Sequence, residues 1–118
     1  MHRLPPDIDL TFLREKPLFQ VCIGQNEMIL NFDESVSITV TSRIGITGRL
    51  EKFDTYEDFT KAAPAVLALL HDVVTAAEGD TDGTLTLTFR SGIKLEFFDT
   101  TERYESYLVK HGDKVIVV

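Results

Sequence analysis

The densest run of chemistry-bearing side chains is Glu102-Arg103-Tyr104-Glu105-Ser106-Tyr107, with His111 shortly after it. Tyrosine hydroxyls, a carboxylate and an imidazole can donate, accept and shuttle protons, so Tyr104, Glu105, Tyr107 and His111 are the candidate binding residues. Tyrosines three apart fall on opposite faces of a regular strand, which predicts one in the core and one at the surface. The blander arrangement is a polar strand closing a sheet edge, its hydroxyls bonded locally.

Elsewhere the residue types do not assemble into known chemistry. His2, His71 and His111 have no paired ligand spacing and Cys22 stands alone, so no metal and no cofactor is assigned. Asp80-Thr81-Asp82-Gly83 opens like a calcium loop but has no distal glutamate at the required spacing, and reads as an Asp-Gly turn. There is no phosphate-binding glycine loop and no Gly-x-Ser-x-Gly elbow. The letters Gly45-Ile46-Thr47-Gly48 lie in strand-like sequence and carry no nucleic-acid reading. His71 ends a helical stretch, where an imidazolium complements the helix dipole. No catalytic residue is assigned, although a constellation assembled from distant sequence stays open.

Charge narrows the partners. The 118 residues carry twelve Lys and Arg against nineteen Asp and Glu, a net charge of −7. Binding to nucleic acid or an anionic membrane needs clustered cations, which are missing here; a basic protein partner fits better. Cys22 sits in Phe19-Gln20-Val21-Cys22-Ile23, where a buried thiol is expected. No apolar leader and no membrane-length run is present, which makes the cytoplasm the simplest home.

The elements that would position these residues follow from periodicity, within a single domain spanning 1–118. Residues 1–9 read as an extended arm and Leu10–Leu13 as a short turn. Met28, Leu30, Phe32 and then Val36, Ile38, Val40 alternate with polar residues, and Ile44 and Ile46 continue the pattern, giving a first β-meander over 18–53. Gly45 and Gly48 invite a bulge or close approach. Asp54 and Glu57 have capping-box spacing ahead of a helical segment over 55–72, kinked or split at Pro64. Leu85, Leu87, Phe89 and Ile93, Leu95, Phe97 open a second meander over 73–118, closed by a hairpin through His111-Gly112-Asp113.

The two meanders resemble one another. Met28 to Val40 match Leu85 to Phe97 at a constant offset of 57 (89 − 32), and upstream Gly24 matches Gly79 and Phe19 matches Val74 at 55 (79 − 24). The difference implies a turn two residues longer in the second copy. Arg90-Ser91-Gly92 supplies a three-residue hairpin loop with glycine at the left-handed place, which Ser35 takes in the first copy. Convergence of generic strand patterns and true duplication are equally compatible with this match.

The strand and turn motifs Asp82-Gly83-Thr84-Leu85-Thr86-Leu87-Thr88-Phe89-Arg90-Ser91-Gly92, Tyr104-Glu105-Ser106-Tyr107, and Val21-Cys22-Ile23-Gly24 with Ile29-Leu30-Asn31-Phe32 resemble an uncharacterised family of small bacterial α+β proteins. The resemblance spans most of 18–118 and implies no activity; it suggests an immunity-like partner protein. The fold expected is α+β: an antiparallel sheet built from two similar meanders, with the helical segment on one face. An exposed edge favours a homodimer. The leading functional expectation is a non-enzymatic protein-interaction module for a basic partner. The alternative is a small-ligand-binding protein, or an unrecognised enzyme, with a pocket between the meanders. A third class is an assembly subunit.

Overall fold

The computed structural model describes residues 9–33, 35–48, 53–99 and 106–118. A 3-10 turn at Thr11–Leu13 leads into β1 (Gln20–Ile23), β2 (Met28–Asn31), β3 (Val36–Val40), β4 (Ile44–Thr47) and β5 (Phe53–Tyr56). Helix α1 (Phe59–Leu67) follows, then β6 (Val74–Gly79), β7 (Leu85–Phe89), β8 (Lys94–Phe97), β9 (Tyr107–His111) and β10 (Lys114–Val117). The predicted alternation is visible in burial: β3 and β7 each bury every second side chain, and their threonines and serine face outward. Among the described residues no helix is long and apolar enough to cross a membrane.

The strands form two antiparallel five-stranded sheets, ordered β1-β2-β3-β9-β10 and β5-β4-β8-β7-β6. The expected single sheet is therefore two. The chain changes sheet after β3, within Thr41-Ser42-Arg43, and again between β8 and β9. Alternation reports which face of a strand is buried, not which neighbour it pairs with. Both sheets turn their apolar faces to one core, in which Phe97 from one lies 6.0 Å from Tyr107 of the other.

Each half of the chain thus gives three strands to one sheet and a hairpin to the other, and exchanging β1–β5 with β6–β10 reproduces the same two orders. Registers agree as well. Val21 opposes Leu30 as Ala77 opposes Leu87, Leu30 opposes Ile38 as Leu87 opposes Leu95, and Ile38 opposes Val109 as Leu95 opposes Ile46. The internal repeat is a structural duplication with a pseudo-two-fold axis. Its upstream offset is 56 (77 − 21), not 55, so the second turn is one residue longer. The turn bonds agree: Gly24 donates its N–H to Glu27 and Asp80 donates its own to Thr84. Letter matching paired the two glycines, whereas backbone pairing sets Gly24 against Asp80.

The axis runs through a small antiparallel contact between 15–18 and 71–74. Glu15 donates to the Val74 carbonyl at 2.7 Å and His71 to the Leu18 carbonyl at 2.7 Å; Leu18 donates to Asp72 and Val74 to Lys16, both at 3.0 Å. Glu15 and His71 both hold left-handed backbone, φ 65° and 73°. The 3-10 turn lies against β6, and α1 lies against β1 and β5. Each helical piece precedes its own half's first strand and covers the other half's.

The helix is shorter than the expected 55–72. Residues 53–56 extend as β5, and the N-cap is Asp58, whose carboxylate accepts the Thr60 N–H at 3.0 Å and its hydroxyl at 2.6 Å. Asp54 and Glu57 are therefore no capping box. Pro64 neither starts a second helix nor splits this one. It forfeits one N–H bond, and the burial of Phe59, Ala62 and Val66 on either side holds the helix together. Cys22 is exposed rather than buried, because Val21 and Ile23 take the inward positions of β1.

Candidate functional site

Of the predicted site residues, the two that lie among the described residues, Tyr107 and His111, do not come together. Tyr107 is a core residue, 1% exposed, and its hydroxyl donates to the Gly83 carbonyl at 2.6 Å across the two sheets. Burial, then the charges of Asp99 and Asp80, raise its phenol pKa above the ordinary value. His111, at the far end of β9, stacks on Phe12 with centroids 4.1 Å apart and planes 5° from parallel. At about 3.3 Å per residue the strand separates it from Tyr107 by about 13 Å. Tyr104 and Glu105 lie outside the described residues, as do residues 1–8 of the expected arm.

Where the chain changes sheets, polar groups gather around the buried Ser106 and Asp99. Thr41 and Ser42 donate their N–H groups to the Ser106 carbonyl at 3.0 and 3.1 Å, and the Ser42 hydroxyl donates to Phe98 at 2.9 Å. Ser106 donates its hydroxyl to Asp99 at 3.1 Å, and Asp99 is 6% exposed. This cluster ties the crossovers to each other, which satisfies backbone that belongs to no ladder. Its sequence signal is only the loss of alternation after Phe97.

Two adjoining clefts, each about 400 Å³, open on the side of α1. One is lined by Arg43, Thr55, Tyr56, Glu57, Asp58 and Lys61. The other is lined by Gln25, Asn26, Thr41, Glu57 and Phe59. All their lining residues fall between 25 and 61, so neither cleft lies between the two meanders. β5 and the turn into α1 position Thr55 to Asp58, and the first crossover positions Arg43. The Arg43 guanidinium lies 5.3 Å above the centre of the Phe98 ring, while its buried Nε has no hydrogen-bond partner. Hydrogen bonds from Thr60 hold the Asp58 carboxyl below its usual pKa, so it stays charged at neutral pH. The cleft therefore offers two cations, two carboxylates and two hydroxyls.

Beside it, β5 is an edge strand with the polar sequence Phe53-Asp54-Thr55-Tyr56. Phe53 is 49% exposed, and its ring and that of Phe98 lie over Gly45. A Cβ at Gly45 would come within 2.8 Å of the Phe53 ring and 3.0 Å of the Phe98 ring, which is the close approach the glycine permits. Sequence reading missed β5, because four residues with one strongly apolar side chain show no alternation. Among the described residues no group of three or more His, Cys, Asp or Glu gathers with metal-binding geometry.

A family model described as a family of unknown function, DUF6188, matches residues 11–118, in keeping with the resemblance carried by the strand and turn motifs. No curated protein and no solved structure matches the chain.

Proposed function

Because the chain belongs to DUF6188, a family of unknown function, we propose a role from its geometry: a non-enzymatic protein-interaction module that takes a basic partner along β5 and the start of α1. The observation that carries this reading is the half-exposed Phe53 on an open edge, followed within five residues by Asp54, Glu57 and Asp58. An apolar anchor beside carboxylates suits a partner that presents a basic, extended segment, since the edge supplies backbone pairing and the acids supply selectivity. The net charge of −7 favours the encounter with such a partner. An immunity-like role, neutralising a basic protein, is the form of this reading that the sequence resemblance supports. The setting proposed is the cytoplasm, where the lone exposed Cys22 would stay reduced.

The test is affinity capture of the tagged chain from its host's lysate at low and high salt, beside a Phe53→Ser/Asp54→Asn/Glu57→Gln variant. A stoichiometric basic partner that is lost with the variant and weakened by salt is the expected result. A partner retained unchanged by the variant rules out this surface.

A second reading has one observation in its favour: Arg43, whose buried Nε has no hydrogen-bond partner, lines a cleft of about 400 Å³. A small molecule with carboxylate or phosphate oxygens would pair with the Arg43 guanidinium, and an amine on the same molecule would meet Glu57 or Asp58. A thermal-shift screen of zwitterionic and anionic metabolites against the wild type and Arg43→Gln tests it. Stabilisation confined to the wild type supports the cleft as a binding site, and no ligand-dependent shift removes it.

A further inference from the structure

Four strands lie at the edges of the two sheets: β1 and β10 in one, β5 and β6 in the other. Helix α1 lies against β1 and the 3-10 turn against β6; β5 meets α1 less extensively and stays an open but acidic edge, and β10 has no comparable helical cover among the described residues. Open apolar edges are a liability that proteins cover, charge or pair. This one carries Lys114-Val115-Ile116-Val117, with Val115 52% exposed.

The hydrogen-bond phase of the ladder decides which groups it offers. Val118 donates to Tyr107 at 3.0 Å and Tyr107 donates back to Val118 at 3.3 Å, so these two form a hydrogen-bonded pair. Antiparallel ladders alternate, so Ile116 with Val109 is the next such pair, and Val115 and Val117 turn their N–H and C=O groups away from β9. Both residues therefore present a donor and an acceptor to the open side.

We infer that β10 is a self-pairing edge, through which two copies of the chain join their β10 sheets about a two-fold axis into one continuous ten-stranded sheet. In an antiparallel register centred on Ile116, Val115 faces the partner's Val117 and Val117 faces the partner's Val115. All four outward donors are then used in four backbone hydrogen bonds. Charge selects the same occupant. Two chains of net charge −7 repel over most of their surfaces, but β10 itself holds no carboxylate side chain, and Lys114 and the cross-strand Lys110 balance Asp113 and the nearby Asp9, so this edge is close to neutral. The β5 edge, bordered by Asp54, Glu57 and Asp58, would oppose a second copy of itself. This pairing does not depend on the partner site proposed along β5.

Sedimentation velocity of the full chain over a concentration series, with circular dichroism as the folding check, tests the inference. The wild type should pass from monomer to dimer. Val115→Lys, and Val117→Pro, which removes an outward N–H but no bond to β9, should raise the dimer Kd on the order of tenfold or more while the fold is retained. Phe53→Lys on β5 should leave dimerisation unchanged. A wild type that is monomeric at every concentration overturns the inference. So does a dimer that both β10 variants leave intact, or an edge occupied by a foreign strand while the chain itself stays monomeric.

Discussion

Asp33 holds the β2–β3 turn from within it. Its carboxylate accepts the Ser35 and Val36 N–H groups at 2.7 and 2.9 Å and the Lys16 ammonium at 2.7 Å. The Lys16 bond first, and then the Ser35 N–H, pull its pKa down to about 2 from the ordinary 3.8. A carboxyl depressed on folding contributes stability that is fully present above its unfolded pKa and is lost as pH falls through its folded one. Both side chains are 36% exposed, so solvent screening reduces the contribution to about 1 kcal/mol. Asp33→Asn retains an oxygen for the two N–H groups and loses the ion pair. It should therefore be about 1 kcal/mol less stable than the wild type at neutral pH, the gap closing between about pH 4 and pH 2. Urea melts across that range check this, and a gap independent of pH would mean that the ion pair contributes nothing. Tyr107 shows why a cluster of suitable side chains is weak evidence for a site. Its hydroxyl serves a carbonyl in the opposite sheet, and no feature of residues 102–107 tells that bond from one made to a ligand.

Among the elements, Glu15 and His71 are the two non-glycine residues with left-handed backbone in the described chain, and they are equivalent under the pseudo-two-fold. Each follows a helical piece and turns the chain into its half's first strand. Left-handed backbone costs an L-residue roughly 1–2 kcal/mol that glycine does not bear. Glu15→Gly and His71→Gly should therefore each raise stability by about 0.5–1 kcal/mol, after allowance for the greater freedom of glycine in the unfolded chain. Denaturant midpoints check this; destabilisation by both would show that the side chains matter more than the backbone angle. The Glu15 contact with Arg90, 3.7 Å between exposed groups, is too weak to reverse the sign. Neither position was legible in the sequence, because nothing local to Glu or His predicts positive φ. What was legible were strands with a clear inward face, such as β2, β3, β7 and β8, and the three-residue loop ending in Gly92, whose φ is 94°. β5 and the true helix start were not, since Asp54-Thr55-Tyr56-Glu57 reads equally well as a cap. The cleft around Arg43 was out of reach for a related reason: its lining comes from a crossover and an edge strand whose partners only the tertiary pairing decides.

At the scale of the whole molecule, the exchange of hairpins makes each half depend on the other. Residues up to Tyr56 hold β1–β3 of one sheet but only β4 and β5 of the other, and the remainder holds the complement. Separated, either half leaves the inward side chains of three strands, among them Leu30, Ile38 and Val40 or Leu87, Phe89 and Leu95, without a facing sheet. A three-stranded meander with one bare apolar face falls below what a small core can stabilise. Fragments 1–56 and 57–118, which keep Asp58 on its helix, should each lack cooperative unfolding alone and should recover it on mixing in equal amounts. Circular dichroism melts of each fragment and of the mixture decide the matter. A fragment that folds alone as a monomer would show that the exchange is dispensable. A fragment that folds only by pairing with its own copy would preserve the interdependence and show that one half's sequence can take both places in the duplicated fold. That outcome is physically reasonable for residues 1–56, because the paired strands of the two halves share register apart from the irregularity between Val74 and Ala76 in β6, so the same inward positions would face each other in the homodimer. The longer β8–β9 connection, which the first half replaces with three residues, then measures how far the two copies have diverged.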